Sequence, residues 1–421
     1  MVSRNRRMSV VSRAALLLTL LLSALMLSAC NEEQPQEPEV VRVAFTYAEA
    51  VWEFYGPPAN MALEDYNARG GAVPIEFVQF PTGTEDDPYG LFSTDQEVAA
   101  VQQAIDDPQV LIVIGGATDT MVQAGVPVAN EAGLAYLSSG SSWAGLTMPG
   151  YGPGEPGIYY PTGERNFFRT FSRDDLSVVL TADFILDEFA PETIYIVNTT
   201  ATQGRGTAGQ MELAMGDAGV DVIAAEALDE ETATAEEITA LAGRIIAAEP
   251  DVLYVGSLAA NETVIMLYYE IRAGLPDLLI VGQGIETVPL FDPPAGHTYS
   301  ELDGIYGQDT MPHPSRIGTE AADAFVTDFE ARFGPFTPGL EGKQANTYEQ
   351  VSAVLYAIEH ADELTRAGVL AAMRNLRYTG IYGVEWGFTP EGDRTLLMSV
   401  FNQLEDGVWV PTTVILESME E

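Results

Sequence analysis

Short apolar runs alternate along the chain with stretches of helical periodicity, and this alternation limits the fold more than any other feature. After the run at 40–46 come IEFVQF, VLIVIG, LAYLSS, TIYIVN, VDVIAA, DVLYVG and LLIVGQ. Between them lie amphipathic stretches such as 235–248, where Ile238, Leu241 and Ile245 share one helical face. Continuous apolar strands separated by helices predict parallel sheets covered on both faces, which is the doubly wound α/β class.

The two ends of the alternating region carry their own signals. Pro57 and Pro58 predict the start of the first helix, and Gly70-Gly71 predicts its end. Near the C-terminus, LLMSVFNQLEDGVWVPTTVI predicts two strands joined by a turn at Asp406-Gly407.

Two segments in different halves of the chain resemble each other. DPQVLIVIGGATDT begins at Asp107 and EPDVLYVGSLAANET begins at Glu249, and both follow an acid-Pro-x-Val-Leu-x-Val pattern. Two lobes of related architecture would produce such a repeat, and so would chance over this few identities. A chain of 421 residues is too long for one ordinary hydrophobic core, which favours two domains.

The first thirty residues have the composition of an export signal. Four arginines precede the uncharged stretch 14–27, which is too short to span a bilayer comfortably. This stretch ends in Leu27-Ser28-Ala29-Cys30, which resembles the lipobox of bacterial lipoproteins. An ordinary secretion signal with a chance cysteine is the alternative. The sequence thus predicts a signal peptide over 1–29, a flexible tether over 30–39 and an extracytoplasmic domain anchored to the membrane by lipid on Cys30.

Charge and composition exclude several classes of protein. The formal net charge of −43 repels nucleic acid and anionic lipid headgroups. Cys30 is the only cysteine, which excludes an intramolecular disulfide and a cysteine-based metal site. The three histidines, His297, His313 and His360, have no metal-ligand spacing, so no metal is expected.

A glycine motif, Gly204-x-Gly206-x-x-Gly209, has the spacing of a dinucleotide fingerprint. A strand-like run at 194–197 precedes it, and Glu226 lies about where an acid would meet a ribose hydroxyl. Residues 198–203 separate the run from the first glycine, whereas the fingerprint turns tightly off its strand. An exported domain also meets little NAD. The alternative is that the glycines let the backbone turn into a helix and pack closely.

Several segments, taken in order, resemble type I periplasmic binding proteins of the leucine/isoleucine/valine class. They are VRVAFTYAEAVWEFYGPPANMALEDYNARGG, VLIVIGGATDTMVQAGVPVANEAGLAYLSSGSS, NFFRTFSRDD and EGDRTLLMSVFNQLEDGVWVP. The resemblance implies two doubly wound parallel-sheet lobes, joined by three hinge strands, that close on a ligand. It places residues 40–169 and 306–394 in lobe 1, and residues 170–305 and 395–421 in lobe 2.

The resemblance also implies a set of ligand contacts and no catalysis or cofactor. The matching positions are Trp52, Tyr55, Thr118, Asp119, Gly140, Ser141, Ser142, Gln203 and Gln283. Thr118 and Ser142 match positions that hold a ligand carboxylate, Gly140 and Ser141 match backbone contacts, and Tyr55 matches a cleft aromatic. Trp52 lies close to Tyr55 in the same predicted loop, where a rim or core aromatic is the alternative.

Three of these positions depart from the pattern of the amino-acid binders. Asp119 stands where they have Ser, Gln203 where a Tyr is usual, and Gln283 where an acid often meets the ligand ammonium. If Asp119 and Gln283 face each other across the cleft, they favour a ligand with N–H donors and a neutral polar group. A helix N-cap facing away from the cleft is the alternative for Asp119.

The expected function follows from the resemblance. It is an extracytoplasmic solute-binding lipoprotein of an ABC importer, partnered by a membrane permease, that binds an amino acid, amide, urea-like or amine solute. A sensory subunit that signals to a membrane partner and an exported NAD-binding enzyme are the alternatives. The Gly- and Pro-rich segment 145–166 is expected to be a surface loop that either caps the cleft or extends away from it.

Overall fold

The computed structural model describes residues 40–419, except 85–88, 91–92, 139, 201, 230–231, 259–260, 284, 286–287 and 289–291. Of residues 202, 203 and 205 it describes the backbone alone. The predicted signal peptide, the tether and Cys30 lie outside the described residues. Among the helices that are described, none combines the length and the apolar character needed to cross a membrane.

The first part of the chain forms a five-stranded parallel sheet. Its elements are β1 (Val41–Phe45), α1 (Glu49–Ala68), β2 (Ile75–Gln79), α2 (Thr94–Asp106), β3 (Val110–Ile114), α3 (Asp119–Glu131), β4 (Ala135–Ser138) and β5 (Phe167–Arg169). The strand order is β2-β1-β3-β4-β5. The order therefore reverses between β1 and β3, and the carboxyl ends of these strands open a crevice there.

The chain then forms a seven-stranded sheet. Its elements are α4 (Asp174–Phe189), β6 (Thr193–Thr199), α5 (Thr202–Ala218), β7 (Asp221–Leu228), α6 (Ala235–Ala248), β8 (Val252–Gly256), α7 (Ile265–Gly274), β9 (Leu279–Gly282), β10 (Tyr306–Asp309), β11 (Leu396–Glu405) and β12 (Val408–Ser418). The order is β12-β11-β10-β9-β8-β6-β7, with β11 antiparallel to both of its neighbours. Between β10 and β11 the chain returns to the first sheet as α8 (Glu320–Phe333), α9 (Glu341–Glu359) and α10 (Arg366–Arg374).

Side chains of each strand alternate between two covered faces. In β1, Val43 packs with α1 and α9, whereas Ala44 packs with α2 and α3 on the opposite face. In β8, Leu253 packs with α6 and α7, whereas Tyr254 packs with α4 and α5. The predicted doubly wound α/β fold with two parallel-sheet lobes is confirmed, and α6 has the predicted bounds.

The chain passes between the two sheets three times, at residues 170–173, 310–313 and 389–395. The first and third crossings meet where Arg169 and Asp393 form a β-bridge. The second crossing begins after β10, whose pairing with β9 and β11 places residues 306–309 in the second lobe. The lobe boundary predicted at residue 306 therefore falls four residues too early, because β10 completes the second sheet before the chain leaves it.

The first helix begins before the proline pair that was expected to start it. Pro57 and Pro58 lie inside α1, which starts at Glu49. Proline has no N–H, so Pro58 cannot donate to the carbonyl of Phe54. The side-chain amide of Gln344 donates to that carbonyl instead, at 3.0 Å. This contact from α9 compensates for the missing helical bond, which the sequence alone does not reveal.

The repeated segments occupy equivalent places in the two sheets. β3 pairs with β1 at the reversal of the first sheet, and β8 pairs with β6 at the reversal of the second. The internal resemblance therefore corresponds to the strand that ends beside the crevice in each lobe.

Candidate functional site

Thr118 lies where the strand order of the first sheet reverses. Its backbone is extended, and its hydroxyl accepts a long hydrogen bond of 3.5 Å from the N–H of Met121, which makes Thr118 the N-cap of α3. The partial positive charge of a helix N-terminus is thus directed toward the crevice. Because Thr118 is the cap, the alternative reading of Asp119 as the N-cap is wrong.

Two glycines allow the ends of β1 and β3 to approach each other. A Cβ on Gly115 would lie 1.7 Å from Oγ1 of Thr46, which follows β1. Gly116 has φ +69°, and a Cβ there would lie 2.3 Å from a methyl group of Val122. A larger residue at position 115 would push the loop away from β1, and one at position 116 would press against α3, so the two glycines allow the loop to pack closely at the crevice.

A buried carboxyl lies beneath this point of the first sheet. Oε1 of Glu97 accepts hydrogen bonds from the hydroxyls of Thr46 at 2.9 Å and Tyr136 at 2.5 Å. Oε2 of Glu97 is buried and has no hydrogen-bond partner in the described part of the chain. Burial raises the pKa of Glu97 to about 7, although both hydrogen bonds oppose this shift.

Asp119 is directed into its own lobe. Its Oδ1 accepts hydrogen bonds from the Ser141 hydroxyl at 2.5 Å and from the backbone N–H groups of Ser142 and Trp143 at 2.9 and 3.0 Å. Burial raises its pKa, and these bonds oppose the rise. The sequence predicts that this carboxylate faces Gln283 across the cleft. The structure corrects that prediction for Oδ1, because this oxygen is already hydrogen-bonded to the loop at 141–143 of its own lobe.

The loop after β4 brings two more of the predicted residues beside α3. Gly140 donates its N–H to the Ser138 hydroxyl at 3.1 Å, and a Cβ at position 140 would lie 2.5 Å from the carbonyl oxygen of Ala117. The hydroxyl of Ser142 is buried and has no hydrogen-bond partner among the described residues. Since buried polar atoms are nearly always paired, this hydroxyl is available to a bound molecule.

Trp52 lies on α1, not in the loop where it was expected. Its ring is half-buried and packs against Phe45, with the ring centroids 4.7 Å apart. A Cβ on Gly56 would lie 2.7 Å from the indole nitrogen, so the indole covers the next turn of its own helix. Trp52 thus combines a packing role with a partly exposed ring.

Tyr55 lies one turn further along α1. Its ring is half-buried and contacts Tyr47, with centroids 5.5 Å apart. Burial raises the pKa of Tyr55, the nearby ammonium of Lys343 opposes the rise, and the Asp309 carboxylate adds to it. Tyr55 therefore lies between the first lobe and the end of β10. Lys343, which lies near Tyr55, is the only lysine in the sequence.

Four neutral side chains form a hydrogen-bonded row across the carboxyl end of the second sheet. Ser257 donates to Gln283 at 3.1 Å, Gln283 to Gln308 at 2.6 Å, and Gln308 to Ser399 at 2.8 Å. We call these four residues the amide rail. Ser257 has φ +58°, a conformation that non-glycine residues seldom adopt except at constrained sites. The amide rail gives the second lobe donors and acceptors without charge.

The glycine motif lies in the first turns of α5. A Cβ on Gly204 would lie 2.3 Å from Thr199, and a Cβ on Gly206 would lie 2.8 Å from the Trp143 ring. A Cβ on Gly209 would meet nothing within 4 Å. Close packing of α5 against β6 and the opposite lobe therefore accounts for the first two glycines.

Glu226, which was weighed as a ribose ligand, is already engaged. Arg244 donates to both of its oxygens, at distances of 2.7 to 3.1 Å, and lowers the pKa of Glu226. The hydroxyl of Tyr195 also donates to Glu226. The side chain of Gln203, the remaining predicted contact of this lobe, lies outside the described residues.

The Gly- and Pro-rich segment is anchored to the first lobe by a buried arginine. Arg169 donates to the Trp143 carbonyl at 2.8 Å, to the Thr147 hydroxyl at 2.6 Å and to Asp393 at 2.6 Å. Arg169 is fully buried. The segment therefore packs beside the first and third crossings and does not extend into solvent at this end.

The same segment and the residue before it contact the first helix of the second lobe. The N–H of Ala144 donates to Asp174 at 3.1 Å, and the hydroxyl of Tyr151 donates to Asp175 at 2.9 Å. Burial, together with the nearby Asp119 carboxylate, raises the pKa of Asp174 to about 8. These contacts bridge the lobes, and sequence reasoning missed them because they join residues that no local pattern relates.

A cavity of about 380 Å³ lies beside the second crossing, between residues 309–316, the start of α9 and the β11–β12 hairpin. None of the nine predicted site residues lines it. Within the described residues, no group of three or more His, Cys, Asp or Glu side chains is arranged to hold a metal ion.

Solved structures with known ligands share this architecture. An ABC transporter substrate-binding protein from Desulfitobacterium hafniense in complex with Leu superposes with a TM-score of 0.70 at 17% identity, covering 89% of this chain and 99% of that one. A solute binding protein of an ABC transporter from R. palustris in complex with 4-hydroxybenzoate gives a TM-score of 0.70 at 15% identity, covering 90% and 97%. These similarities establish the fold.

Sequence comparison identifies relatives and the family. An amino acid binding protein from Pseudomonas aeruginosa is 25% identical over 314 residues, covering 73% of this chain and 74% of that one. The Leu/Ile/Val-binding protein BraC3 from Rhizobium johnstonii is 24% identical over 221 residues, covering 49% and 54%. The model of the periplasmic binding protein family matches residues 56–402. With two doubly wound lobes and three crossings between them, the chain belongs to the periplasmic binding protein family.

Proposed function

We propose that this protein is the extracytoplasmic solute-binding subunit of an ABC importer and holds its solute between the two lobes. The observation that carries the proposal is the pair of sheet reversals, β1/β3 and β6/β8, in lobes that three chain crossings connect. Ligands of open α/β sheets bind at such reversals, and lobes joined by a few extended segments close by hinge motion. A membrane permease is the partner that this role requires.

The solute class follows from the polar groups that remain available. The amide rail is neutral, so it suits an amide, a urea-like group or a hydroxyl better than an ammonium ion. Asp119 already satisfies the donors at 141–143, so a ligand carboxylate would have to displace it. The Ser142 hydroxyl and the N-terminus of α3 remain for a polar group of the solute. We favour a small solute with a neutral polar end at the second lobe.

The test compares ligands that differ at one end only. L-leucine, L-leucinamide, 4-hydroxybenzoate, 4-hydroxybenzamide and urea are screened by thermal shift against the mature protein. A ligand at about a hundredfold excess over its Kd adds about 2.7 kcal/mol of stability. We expect an amide to stabilise more than its matched carboxylate, and Gln283→Leu to abolish the shift.

Arg374→Gln, an exposed change in α10, is the control that should leave the shift intact. Ligand binding should also reduce the radius of gyration in small-angle scattering. A stabilising ligand whose effect survives both Gln283→Leu and Trp52→Ala would show that the solute binds outside the cleft.

Lipid anchoring through Cys30 is a separate part of the proposal. It rests on the basic start, the apolar core and the Leu-Ser-Ala-Cys sequence. One acyl chain holds a protein to a membrane only weakly, so stable attachment needs the several chains of a bacterial lipoprotein. We expect Cys30→Ala to release the protein from membranes or to block its processing. Normal processing together with unchanged membrane fractionation would contradict the anchor.

A further inference from the structure

The cavity beside the second crossing has walls from both lobes. The second lobe contributes the β11–β12 hairpin, and the first lobe contributes the residues that lead into α9. Between them lies the stretch from Asp309 to Arg316, which includes the second crossing at 310–313. Its volume of about 380 Å³ is within the range of small-molecule sites. Rotation of one lobe against the other changes the shape of this cavity.

The second-lobe wall carries an aromatic side chain and a proline. The indole of Trp409 lies over the backbone of Gly307, where a Cβ would be 3.2 to 3.4 Å from three ring carbons. Pro411 pairs with Asn402 at an irregularity in the β11–β12 register. Such irregularities re-aim side chains at the edges of sheets, and proline on an edge strand leaves no unpaired N–H. Trp409 and Pro411 therefore form an apolar floor beside polar neighbours.

Three charged side chains line the cavity, and none of them forms an ion pair in the described part of the chain. They are Asp309 and Glu341 on the acidic side and Arg316 on the basic side. Arg316 is exposed, so its guanidinium is accessible to a carboxylate that enters the cavity. His313, also on the wall, has a pKa lowered by burial.

The wall from the first lobe is tightly attached to the crossing. A Cβ on Gly342 would lie 2.0 Å from the Met311 carbonyl oxygen, so the start of α9 directly contacts the crossing. Asp309 accepts the N–H groups of Thr310 and Met311 at 2.6 and 3.2 Å, which fixes where the crossing begins. A molecule in the cavity therefore contacts segments that hold the two lobes in one orientation.

We propose that this cavity is a second small-molecule site, distinct from the cleft, that binds a free amino acid with an apolar or aromatic side chain. Arg316 binds its carboxylate, Asp309 and Glu341 bind its ammonium group, and Trp409 with Pro411 contacts its side chain. Because both lobes line the site, occupancy favours one lobe orientation and couples to solute binding in the cleft. The inference is independent of which solute the cleft binds.

The experiment uses fluorine NMR of the mature protein labelled with 5-fluorotryptophan. The chain has four tryptophans, and Trp409→Phe and Trp52→Phe assign the resonances of the cavity and the cleft. L-phenylalanine is the probe, with L-phenylalaninamide and N-acetyl-L-phenylalanine as analogues that lack one charge. We expect a saturable shift of the Trp409 resonance that either analogue reproduces only at about tenfold or higher concentration.

A matched pair of arginine variants separates direct contact from lobe closure. Arg316→Gln should raise the midpoint for the Trp409 resonance by about tenfold or more, whereas the exposed Arg374→Gln should leave it unchanged. An unmoved Trp409 resonance at millimolar L-phenylalanine, or an unchanged midpoint in Arg316→Gln, would overturn the inference. In the cleft screen, stabilisation that requires Gln283 but leaves the Trp409 resonance unmoved would support solute binding in the cleft and contradict its coupling to this cavity.

Discussion

The carboxyl ends of the two sheets share one topology and differ in chemistry. In the first lobe, Glu97 and Asp119 are buried beside the reversal, and Arg169 and Asp393 form a buried ion pair at the nearby crossing. In the second lobe, the corresponding edge carries the amide rail, which has no charge. The same strand order therefore supports buried charged groups at one edge and an uncharged hydrogen-bonded row at the other, which shows that topology positions the crevice and side chains decide its chemistry.

The charged edge should dominate stability. Arg169→Met leaves Asp393 buried with only Arg173 as a cationic partner, at 3.1 Å. Removing one partner of a buried ion pair costs about 3–5 kcal/mol of unfolding free energy. Urea denaturation followed by circular dichroism measures the loss.

The matched control is Arg332→Met, which removes an exposed arginine that pairs with Glu64 and Asp65. Exposed pairs contribute about 0–1 kcal/mol, so this variant should unfold close to the wild type. Equal losses in the two variants would mean that burial does not strengthen the Arg169 pair.

The first lobe should also carry pH dependence that the amide rail lacks. The pKa of Glu97 is about 7 in the fold, above its ordinary value of 4.5. Its stabilising contribution is therefore complete below pH 4.5 and is lost as the pH rises through 7. Glu97→Gln keeps an acceptor for Thr46 and Tyr136, so the variant should gain about 1–3 kcal/mol over the wild type at about pH 9 and much less at about pH 5.

Isothermal denaturation at both pH values supplies the measurement. Ser257→Ala in the amide rail is the control, and its effect on stability should not change with pH. If the difference in unfolding free energy between Glu97→Gln and the wild type is the same at both pH values, the pKa of Glu97 lies near its ordinary value.

The glycine motif offers a sharper comparison within one helix. Gly204→Ala puts a Cβ 2.5 Å from the carbonyl oxygen of Thr199, and such overpacking costs about 1–3 kcal/mol. Gly209→Ala meets open space in the same helix and should gain about 0.5–1 kcal/mol from helix propensity. Thermal unfolding of both variants measures the opposite signs, and destabilisation by both changes would reject the packing account.

The smallest effect is expected on the neutral edge. Ser399→Ala removes the acceptor at the end of the amide rail, but Gln308 still donates to the Asp309 carbonyl at 3.2 Å. One neutral hydrogen bond contributes about 0.5–1.5 kcal/mol. A loss in Ser399→Ala comparable to that of Arg169→Met would remove the proposed contrast between the two edges.

Local patterns predicted most of the strands, the helix at 235–248 and the fold class, because hydrophobic periodicity reports which faces are buried, but they missed the short strands β5 and β10. These patterns failed where the local conformation depends on a hydrogen bond from a residue distant in the sequence. The start of α1 depends on Gln344, and the orientation of Asp119 depends on the loop at 141–143. The family resemblance predicted that Thr118, Asp119 and Gly140–Ser142 lie at one crevice. It did not predict which of their polar atoms already have hydrogen-bond partners within the protein. That information exists only in the folded structure.

The single lysine gives the molecule a natural reporter. A protease specific for lysine has one target bond in this chain, between Lys343 and Gln344 in the first turn of α9. The Gln344 side chain accepts the Thr337 N–H at 2.9 Å and donates to the Phe54 carbonyl, so cleavage requires this turn to unwind from α1. The rate of a single proteolytic cut therefore reports how often the start of α9 opens, without any label or engineered residue.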